Sequence, residues 1–478
     1  MRLAFEYGVG TITADLPDNT DVFIPGETVK DPSPLTDIKN STAASILNPI
    51  GIEPIHKQVK KGSKVVIVFP DKVKGGMQAD SHRKVSIPII LNECLKAGVY
   101  KKDIKLICSN GLHRKNTREE LKALLGEEVF NDYFWSNQIV NHDSEDYDNL
   151  VDLGQDELGS PVIMNKDVFE ADFAVLIGHT LGNPYGGYSG GYKHCATGIT
   201  HWKSIGAHHA PHVMHRHDFL PVSTKSLMRD KFDHIGMHME KCMKKKFFTC
   251  DAVLDTHQRQ LAVFTGAADV IQPLSWEIAD KRTYAPWAEK KYDVMVFGMP
   301  QSFHYGNGMG TNPILMLQAI SAQIIRHKRV LTDYPVIICA SACDGYFHDE
   351  EFPAYREVYQ LFQKDYANVL PDIEKYGGYI SSKREYIDMY RFNYGYHPFH
   401  AFSMISCGHI AEKHAAAIYI TGAREPGFAR GMGLKTRATI EEALNDSRKY
   451  TGCSPNILAL PKAFTTAAMH LCMKEDNI

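Results

Sequence analysis

The sequence predicts an α/β protein of two domains, with mostly parallel sheets and a cleft between the domains. Its 478 residues are too many for one ordinary hydrophobic core, so two domains are expected. Short apolar runs alternate with segments of helical periodicity, which is typical of parallel sheets covered by helices. The alternation is interrupted once, near residue 275, and then resumes. We therefore predict α/β domains at 1–275 and 290–478.

Three apolar runs in the first domain are predicted strands. They are KVVIVFPD (64–71), DIKLICSNG (103–111) and ADFAVLIGH (171–179). The first run ends at Asp71, His113 follows the second, and a glycine-rich loop follows the third. Ligands bind beyond the carboxyl ends of parallel strands, so we expect these three features to share one site.

Helix signals separate these strands. The segment 85–100 has helical spacing and a stop signal at Gly98. Thr117 and Glu120 have the spacing of a capping box and predict the start of another helix.

The second domain has the same alternation. A polar, aromatic and proline-bearing segment at 275–292 is predicted to be a linker. Four later apolar runs predict strands: YDVMVFG (292–298), YPVIICAS (334–341), AAAIYITG (415–422) and NILALP (456–461).

Charge and composition exclude several classes of protein. The net charge is −3 with no long run of one sign, so neither nucleic acid nor an anionic membrane is expected as the main partner. The N-terminus has no signal-peptide pattern, and no apolar run is long enough for a membrane helix. The 10 cysteines include no C-x-x-C pair, which favours reduced core thiols. We expect a cytoplasmic protein.

The loop GGYSGGYK (186–193) places a lysine two positions after the last of four glycines, with a serine among them. Glycine lets backbone N–H groups approach a phosphate, and a lysine can neutralise it. The loop is nevertheless not a P-loop, because Tyr192 separates Gly191 from Lys193 and His194 follows. Phosphate binding and a plain glycine turn with an exposed lysine both remain open from spacing alone.

Histidines are concentrated just after this loop, at 201, 208, 209, 212, 215 and 217. His208 and His212 have the i, i+4 spacing of metal ligands on a helix, but no H-E-x-x-H pattern or nearby cysteine accompanies them. The alternatives are a polar histidine-rich helix and a single histidine ligating a metal that another group mainly holds.

His113 at a strand end suits a general base, because the unperturbed imidazole titrates near neutral pH. Asp71, Lys72 and Lys74 at the neighbouring strand end would place a carboxylate and cations beside the same cleft, and substrate carboxylates bind such cations. A structural histidine and a solvated strand end are the alternatives.

Five motifs together resemble the lactate racemase family in order and spacing. They are PDKVK (70–74), GLHRKNTREE (111–120), VNHD (140–143), GGYSGGYK (186–193) and AHH (207–209). The resemblance is strong over roughly 1–270 and weaker towards the C-terminus. It implies a nickel-pincer nucleotide cofactor and racemisation of a 2-hydroxy acid.

The resemblance also implies roles for individual residues. Lys193 matches the lysine that tethers the cofactor through a thioamide, and His209 matches the histidine that completes nickel coordination. His113 matches one of two acid/base histidines, and Asp71 matches the aspartate at the first strand end. Cofactor contacts are expected from Gly187, Ser189, Gly190 and Gly191. The implied reaction is a transient transfer of the substrate's Cα hydride to the cofactor and back.

Several positions depart from the family pattern. Asn183 stands where the second acid/base histidine is expected, Lys74 replaces an arginine, and Ser321 replaces a lysine three places after Gln318. His179, His194 and His304 are candidates for the second proton-transfer group, with His304 preferred. We assign His113, Asp71, Lys74 and His304 to catalysis and Arg114, Asn183, Tyr188 and Gln318 to substrate binding.

These departures favour a substrate other than lactate. Fewer cations, together with the polar residues Asn307, Thr311 and Asn312, predict a racemase or C2-epimerase of a 2-hydroxy acid such as a sugar acid. A net dehydrogenase on the same cofactor and a non-catalytic nickel or nucleotide binder are the alternatives. Cofactor-biosynthesis proteins are expected partners, and the oligomeric state is left open.

Overall fold

The computed structural model describes residues 1–215, 226–364 and 369–476. The strands are β1 Arg2–Gly8, β2 Gly10–Asp15, β3 Asp21–Val22, β4 Val65–Phe69, β5 Ile104–Cys108, β6 Ile139–Asn141, β7 Leu150–Gln155, β8 Pro161–Asn165, β9 Phe173–Thr180, β10 Gly182–Asn183, β11 Gly187–Tyr188, β12 Phe248–Leu254, β13 Gln260–Ala267, β14 Tyr284–Ala288, β15 Tyr292–Pro300, β16 Ser302–Phe303, β17 Gly306–Asn307, β18 Leu331–Ala340, β19 Ala417–Thr421, β20 Lys435–Arg437, β21 Ile457–Leu460 and β22 His470–Met473.

The helices lie between these strands. They are α1 Ile38–Leu47, α2 Ile55–Gln58, α3 His82–Lys96, α4 Arg118–Leu125, α5 Glu127–Tyr133, α6 Lys166–Glu170, α7 Gly191–Gly198, α8 Trp202–His208, α9 Pro211–Met214, α10 Leu227–Met243, α11 Ala268–Thr283, α12 Pro313–Arg326, α13 Tyr355–Lys364, α14 Val369–Ser381, α15 Arg384–Phe392, α16 Phe399–Lys413, α17 Pro426–Gly431 and α18 Ile440–Thr451. No helix in the described ranges is long and apolar enough to cross a membrane.

The first sheet has the order β13-β12-β9-β4-β5-β6, and all its pairs are parallel except β12 with β13. The three strands predicted from apolar runs are its adjacent members β9, β4 and β5. They are covered on both faces, so their side chains are almost all buried, as expected for continuous apolar runs. The predicted capping box of Thr117 and Glu120 is present at the start of α4.

The second sheet contains the four strands predicted after residue 290, which are β15, β18, β19 and β21. It also contains the N-terminal strands. β1 pairs in parallel with β15 and antiparallel with β2, and β3 pairs with β21. The segment 2–22 therefore joins the sheet of the C-terminal half, although the predicted division places it in the domain 1–275.

The predicted linker at 275–292 is wrong. Residues 268–283 form α11, and the chain continues into β14, which pairs with β22. The buried face of α11, which includes Ile271 and Ala279, packs against the first sheet and α7. This packing stabilises the helix despite the polar composition of the segment.

The fold class is therefore α/β with mostly parallel sheets, as predicted. One hydrophobic cluster runs from the first sheet into the second half of the chain and includes Leu176, Tyr192, Leu315 and Ile405. The carboxyl ends of β4, β5 and β9 face this junction through the loops that follow them.

Candidate functional site

A cavity of about 530 Å³ lies where the loops of the two sheets meet. Eight of the predicted site residues line it: Lys74, His113, Asn183, Ser189, Lys193, His209, His304 and Gln318. Among the described residues, no Asp or Glu lines the cavity. Five basic residues do line it: Lys72, Lys74, Lys193, Arg282 and Arg326. The cavity is therefore suited to an anionic ligand.

The Asp71 carboxylate holds the His113 ring. Asp71 lies two residues beyond β4, His113 lies in the turn after β5, and the distance from Nδ1 of His113 to Oδ2 of Asp71 is 2.7 Å. Burial by itself raises the pKa of Asp71, but the charge and hydrogen bond of His113 and the charges of Lys74 and Arg83 lower it below its usual value. The ionised carboxylate accepts the Nδ1 proton, so Nε2 is the basic nitrogen left to the cavity.

Arg83 on α3 fixes the loop that carries Asp71 and Lys74. Its guanidinium donates to the carbonyl oxygens of Pro70 (3.2 Å), Asp71 (3.1 Å) and Gly76 (2.7 Å), and also to that of Lys74. Burial lowers the pKa of the Lys74 amine, and Asp71 partly offsets this.

Lys193 on α7 is a buried amine. No carboxylate within the described ranges pairs with it, and its Nζ lies 5.6 Å from the centre of the Phe232 ring. Burial, together with the charges of Lys74 and Arg229, lowers its pKa far below the usual value for lysine. A lowered pKa makes an amine a better nucleophile near neutral pH.

The glycine loop packs against protein. The N–H of Gly191 donates to Asp251 (2.7 Å) and that of Tyr192 donates to Gln272 (2.9 Å), so the start of α7 is already capped. Gly190 has φ +81°, and a Cβ there would press on the Asp251 carboxylate. The glycines are thus required for close packing in this loop.

The Ser189 hydroxyl closes the same loop. It donates to the carbonyl of His179 (2.8 Å) and accepts from the N–H of Leu181 (3.0 Å). Of the four residues assigned to cofactor contact, Ser189 lines the cavity, Gly190 lines a smaller adjoining one, and Gly187 and Gly191 line neither.

His209 directly follows α8 and faces the cavity. Its Nδ1 lies 3.2 Å from the carbonyl oxygen of Ile205, which assigns the proton to Nδ1 and leaves Nε2 free as a metal ligand. Burial lowers its pKa to about 4, so the ring is neutral at pH 7, as ligation requires. No group of three His, Cys, Asp or Glu residues in the described part of the chain is arranged to hold a metal.

The other predicted histidines have different surroundings. His201 caps α8, His208 is buried against Phe232, and Nε2 of His215 contacts the Ser406 carbonyl at 2.8 Å. His217 lies outside the described residues.

The second half of the chain contributes His304 and Gln318. His304 lies between β16 and β17, is exposed to the cavity and has φ +36°, an uncommon conformation for a residue with a Cβ. Gln318 lines the cavity from α12. The predicted contribution of both halves to one cleft thus agrees with the geometry.

Three residues of the predicted set have structural partners. Arg114 forms a two-point ion pair with Glu120 (2.6 and 2.9 Å) and does not line the cavity. Tyr188 is fully buried and its hydroxyl donates to Asp280. Asn183 lines the cavity but uses Oδ1 to accept from the N–H groups of Tyr185 and Gly186.

The polar residues of the second half also have structural partners. Asn307 accepts from Gln301, Thr311 donates to the Tyr346 carbonyl, and Asn312 caps α12. None of the three lines the cavity, so the suggested match to substrate hydroxyls is wrong.

His400 on α16 was missed by the sequence analysis. It is buried in the cavity wall, its ring centre lies 5.7 Å from that of His113, and its Nδ1 lies 2.6 Å from the Tyr355 hydroxyl. Its Nε2 is buried and has no hydrogen-bond partner among the described residues. The HPFH stretch was the available signal, but no nearby strand end linked it to the first-domain motifs.

Comparison with known proteins agrees with this arrangement. Residues 7–219 match the family model described as the lactate racemase N-terminal domain. This segment, somewhat under half of the chain, is thus similar to that domain. The predicted resemblance is thereby confirmed.

Two curated relatives are both lactate racemases. That from Lactiplantibacillus plantarum is 27% identical over 242 residues, 51% of this chain and 54% of the relative. That from Thermoanaerobacterium thermosaccharolyticum is 24% identical over 222 residues, 46% of this chain and 49% of the relative. The chain thus matches about half the length of these curated relatives.

Two solved structures extend the likeness in fold beyond the lactate racemase N-terminal domain. The lactate racemase apoprotein from Thermoanaerobacterium thermosaccharolyticum has a TM-score of 0.70 and 19% identity, covering 98% of this chain and all of that one. A protein from Thermotoga maritima has a TM-score of 0.55 and 14% identity, covering 93% of this chain. These matches concern the fold alone.

Proposed function

We propose that the protein is a racemase or C2-epimerase of a 2-hydroxy acid that uses a nickel-pincer nucleotide held at Lys193 and His209. The observation that carries the proposal is the Asp71–His113 pair, which faces the same cavity as the buried Lys193 amine and the neutral imidazole of His209. The lactate racemase N-terminal domain supports the same reaction class.

The residues present fit this cofactor. The unpaired Lys193 amine is prepared for covalent attachment, and Nε2 of His209 is available to a metal because Nδ1 is occupied by Ile205. The absence of acids from the described lining suits a phosphate-bearing group. When bound, the cofactor would supply a reversible acceptor for the substrate's Cα hydride.

The protein's own residues would bind the substrate and move protons. His113 Nε2 would accept the substrate's hydroxyl proton and return it, while Asp71 fixes the ring and stabilises the imidazolium. Lys74 and Gln318 would bind the substrate carboxylate, and Lys74 would do so through one contact rather than a fork. We leave Arg114 and Tyr188 out of the proposed substrate contacts because of their structural partners.

His304 is our proposed second proton-transfer group; it comes from the second half of the chain and lines the cavity together with His113. His194 is less suitable because its Nε2 lies 2.5 Å from the Ser109 hydroxyl and it lines only the smaller cavity. His179 lines both cavities, but its backbone carbonyl is part of the closed glycine loop.

Intact mass spectrometry with nickel analysis tests the cofactor assignment. Wild type and Lys193→Ala would be produced together with the cofactor-biosynthesis proteins, with Lys203→Ala, an exposed lysine on α8, as the matched control. We expect a stable mass increment and nickel in wild type and in the control, and neither in Lys193→Ala. Their absence from wild type would contradict the proposal.

Chiral chromatography of a panel of 2-hydroxy acids tests the reaction. Inverted hydroxy acid is expected from the loaded protein. Accumulated keto acid would instead indicate a net dehydrogenase, and cofactor retention without any turnover would indicate a binding protein.

A further inference from the structure

Arg326 places a guanidinium in the cavity wall beyond Gln318. It is the last residue of α12 and lines the cavity with Ala322 and Gln318, which lie one and two turns away on the same face. Eight residues of helix rise separate the Gln318 and Arg326 backbones by about 12 Å. Arg326 is therefore well separated along the helix from the proposed carboxylate contact at Gln318.

Arg326 has no counterion in the described part of the chain. No ion pair or hydrogen bond there engages its guanidinium, and its Nε is buried without a partner. Burial lowers its pKa, and the Tyr185 hydroxyl offsets this only in part. By contrast, Arg329 three residues later is paired with Asp476 at 3.7 Å.

The surroundings of Arg326 make this cation more costly. Arg282 is a second cation nearby, and its charge and that of Arg326 oppose each other. The charge of Arg326 also lowers the pKa of His304, His327 and His470, and none of these side chains can supply a balancing negative charge. Arg282 also lines the cavity, but its two terminal nitrogens already donate to the carbonyls of Ala468 (2.9 Å) and Ala467 (3.0 Å). The negative end of α12 supplies only a partial compensating charge.

We propose that Arg326 forms an anion subsite that binds a second acidic group of the ligand, at the far end from the reacting carbon. A cation held away from water without a partner is unfavourable unless an anion pairs with it. A guanidinium binds a carboxylate or a phosphate through two parallel hydrogen bonds. The subsite exposes the terminal nitrogens of Arg326 for this purpose, because only its Nε is enclosed.

This inference rests on the proposed function for its substrate class. With the reacting end held near His113 and Gln318, the second acidic group belongs to a long chain, such as a sugar acid that ends in a carboxylate or a phosphate. The same guanidinium chemistry would also accept the phosphate of the cofactor nucleotide. The two sources differ in which free compounds the protein binds.

Isothermal titration of the full-length protein, made without the cofactor-biosynthesis proteins, tests the subsite. The probes are gluconate, glucarate and 6-phosphogluconate, which share one chain and differ at its far end, together with AMP. We expect glucarate or 6-phosphogluconate to bind about 10- to 100-fold more tightly than gluconate. Arg326→Gln should abolish this preference, Arg326→Lys should keep part of it, and Arg329→Gln should keep all of it.

Each other outcome has a definite meaning. Arg326-dependent binding of AMP, with glucarate equal to gluconate, supports the subsite and assigns it to the cofactor phosphate. Equal affinity of wild type and Arg326→Gln for every probe overturns the subsite. So does a much lower urea midpoint for Arg326→Gln than for Arg329→Gln, because it would show a structural partner for Arg326. Binding needs no turnover, so failure of the racemase proposal would be seen separately in the chiral assay.

Discussion

Two strand–hairpin–helix units face the cavity, one from each half of the chain. They differ in how the N-terminus of the helix is capped. In the first, β9 leads through the hairpin β10–β11 into α7; in the second, β15 leads through β16–β17 into α12. The N-terminal N–H groups of α7 are capped by Asp251 and Gln272 from other elements. In α12 the Asn312 side chain caps its own helix.

A glycine-rich helix N-terminus such as that of α7 need not bind phosphate. The first unit uses its glycines for close packing and contributes one amine, Lys193. The second has a self-capped helix and contributes His304, Gln318 and Arg326 along one wall. Covalent attachment is thus proposed for one unit and reversible binding for the other.

The largest expected effects are losses of kcat on substitution of one proton-transfer histidine from each half of the chain. His113→Gln in the loaded enzyme should lower kcat by about 10²- to 10⁴-fold, because one proton-transfer group is removed. His304→Gln should lower kcat by a similar factor if His304 is the second proton-transfer group. Turnover of each enantiomer would be measured separately, and full activity of His304→Gln would reject its role.

A smaller loss should follow when the ring of His113 is left in place but released. Asp71→Asn removes the carboxylate at 2.7 Å from Nδ1 and should lower kcat on the order of 10²-fold, with a smaller change in KM. A change in KM alone would show that Asp71 contacts substrate and does not act through His113.

Acidification should destabilise both halves through buried neutral histidines. Burial lowers the pKa of His82, beside the first sheet, from 6.5 to about 4, and that of His327, after α12, from 6.5 to about 3. Each binds fewer protons folded than unfolded, so stability present above pH 6.5 is lost as the pH falls towards the folded pKa. We expect a loss of about 2 kcal/mol per histidine between pH 7 and pH 5.

Urea unfolding of wild type, His82→Gln and His327→Gln at the two pH values would measure this loss. Each variant should lose less stability on acidification than wild type does, and His56→Gln, at an exposed position, should lose as much. Identical losses in all four proteins would contradict the assignment.

The smallest effect sharpens the contrast in helix capping. Asn312→Ala should lower the free energy of unfolding by about 1 kcal/mol, because the N–H of Ile314 loses its acceptor at 3.0 Å. Asn312→Ser should recover most of this stability in the same urea titration. Equal midpoints for all three proteins would show that the cap contributes nothing.

Much of the fold and part of the site were predictable from local patterns. The runs leading to Asp71 and the glycine loop are fully buried strands, and strand-end logic correctly brought His113 to Asp71. The role of Tyr188 was harder to assess, because sequence alone did not reveal its contact with Asp280 across 92 residues. His400 and Arg326 were missed because their importance comes from missing partners, which become visible only once the chain has folded.

The parallel pairing of β1 with β15 has a consequence for how the chain folds. Tyr7 lies opposite Met299, so the first strand meets this neighbour only after some 290 residues have been made. The intervening first sheet holds its strands between residues 65 and 267 and can assemble meanwhile. Until β15 has formed, the β1–β2 hairpin has an unpaired edge on β1. Its docking on β15 then joins the N-terminal strands to the sheet of the C-terminal half, after the first sheet has been synthesised.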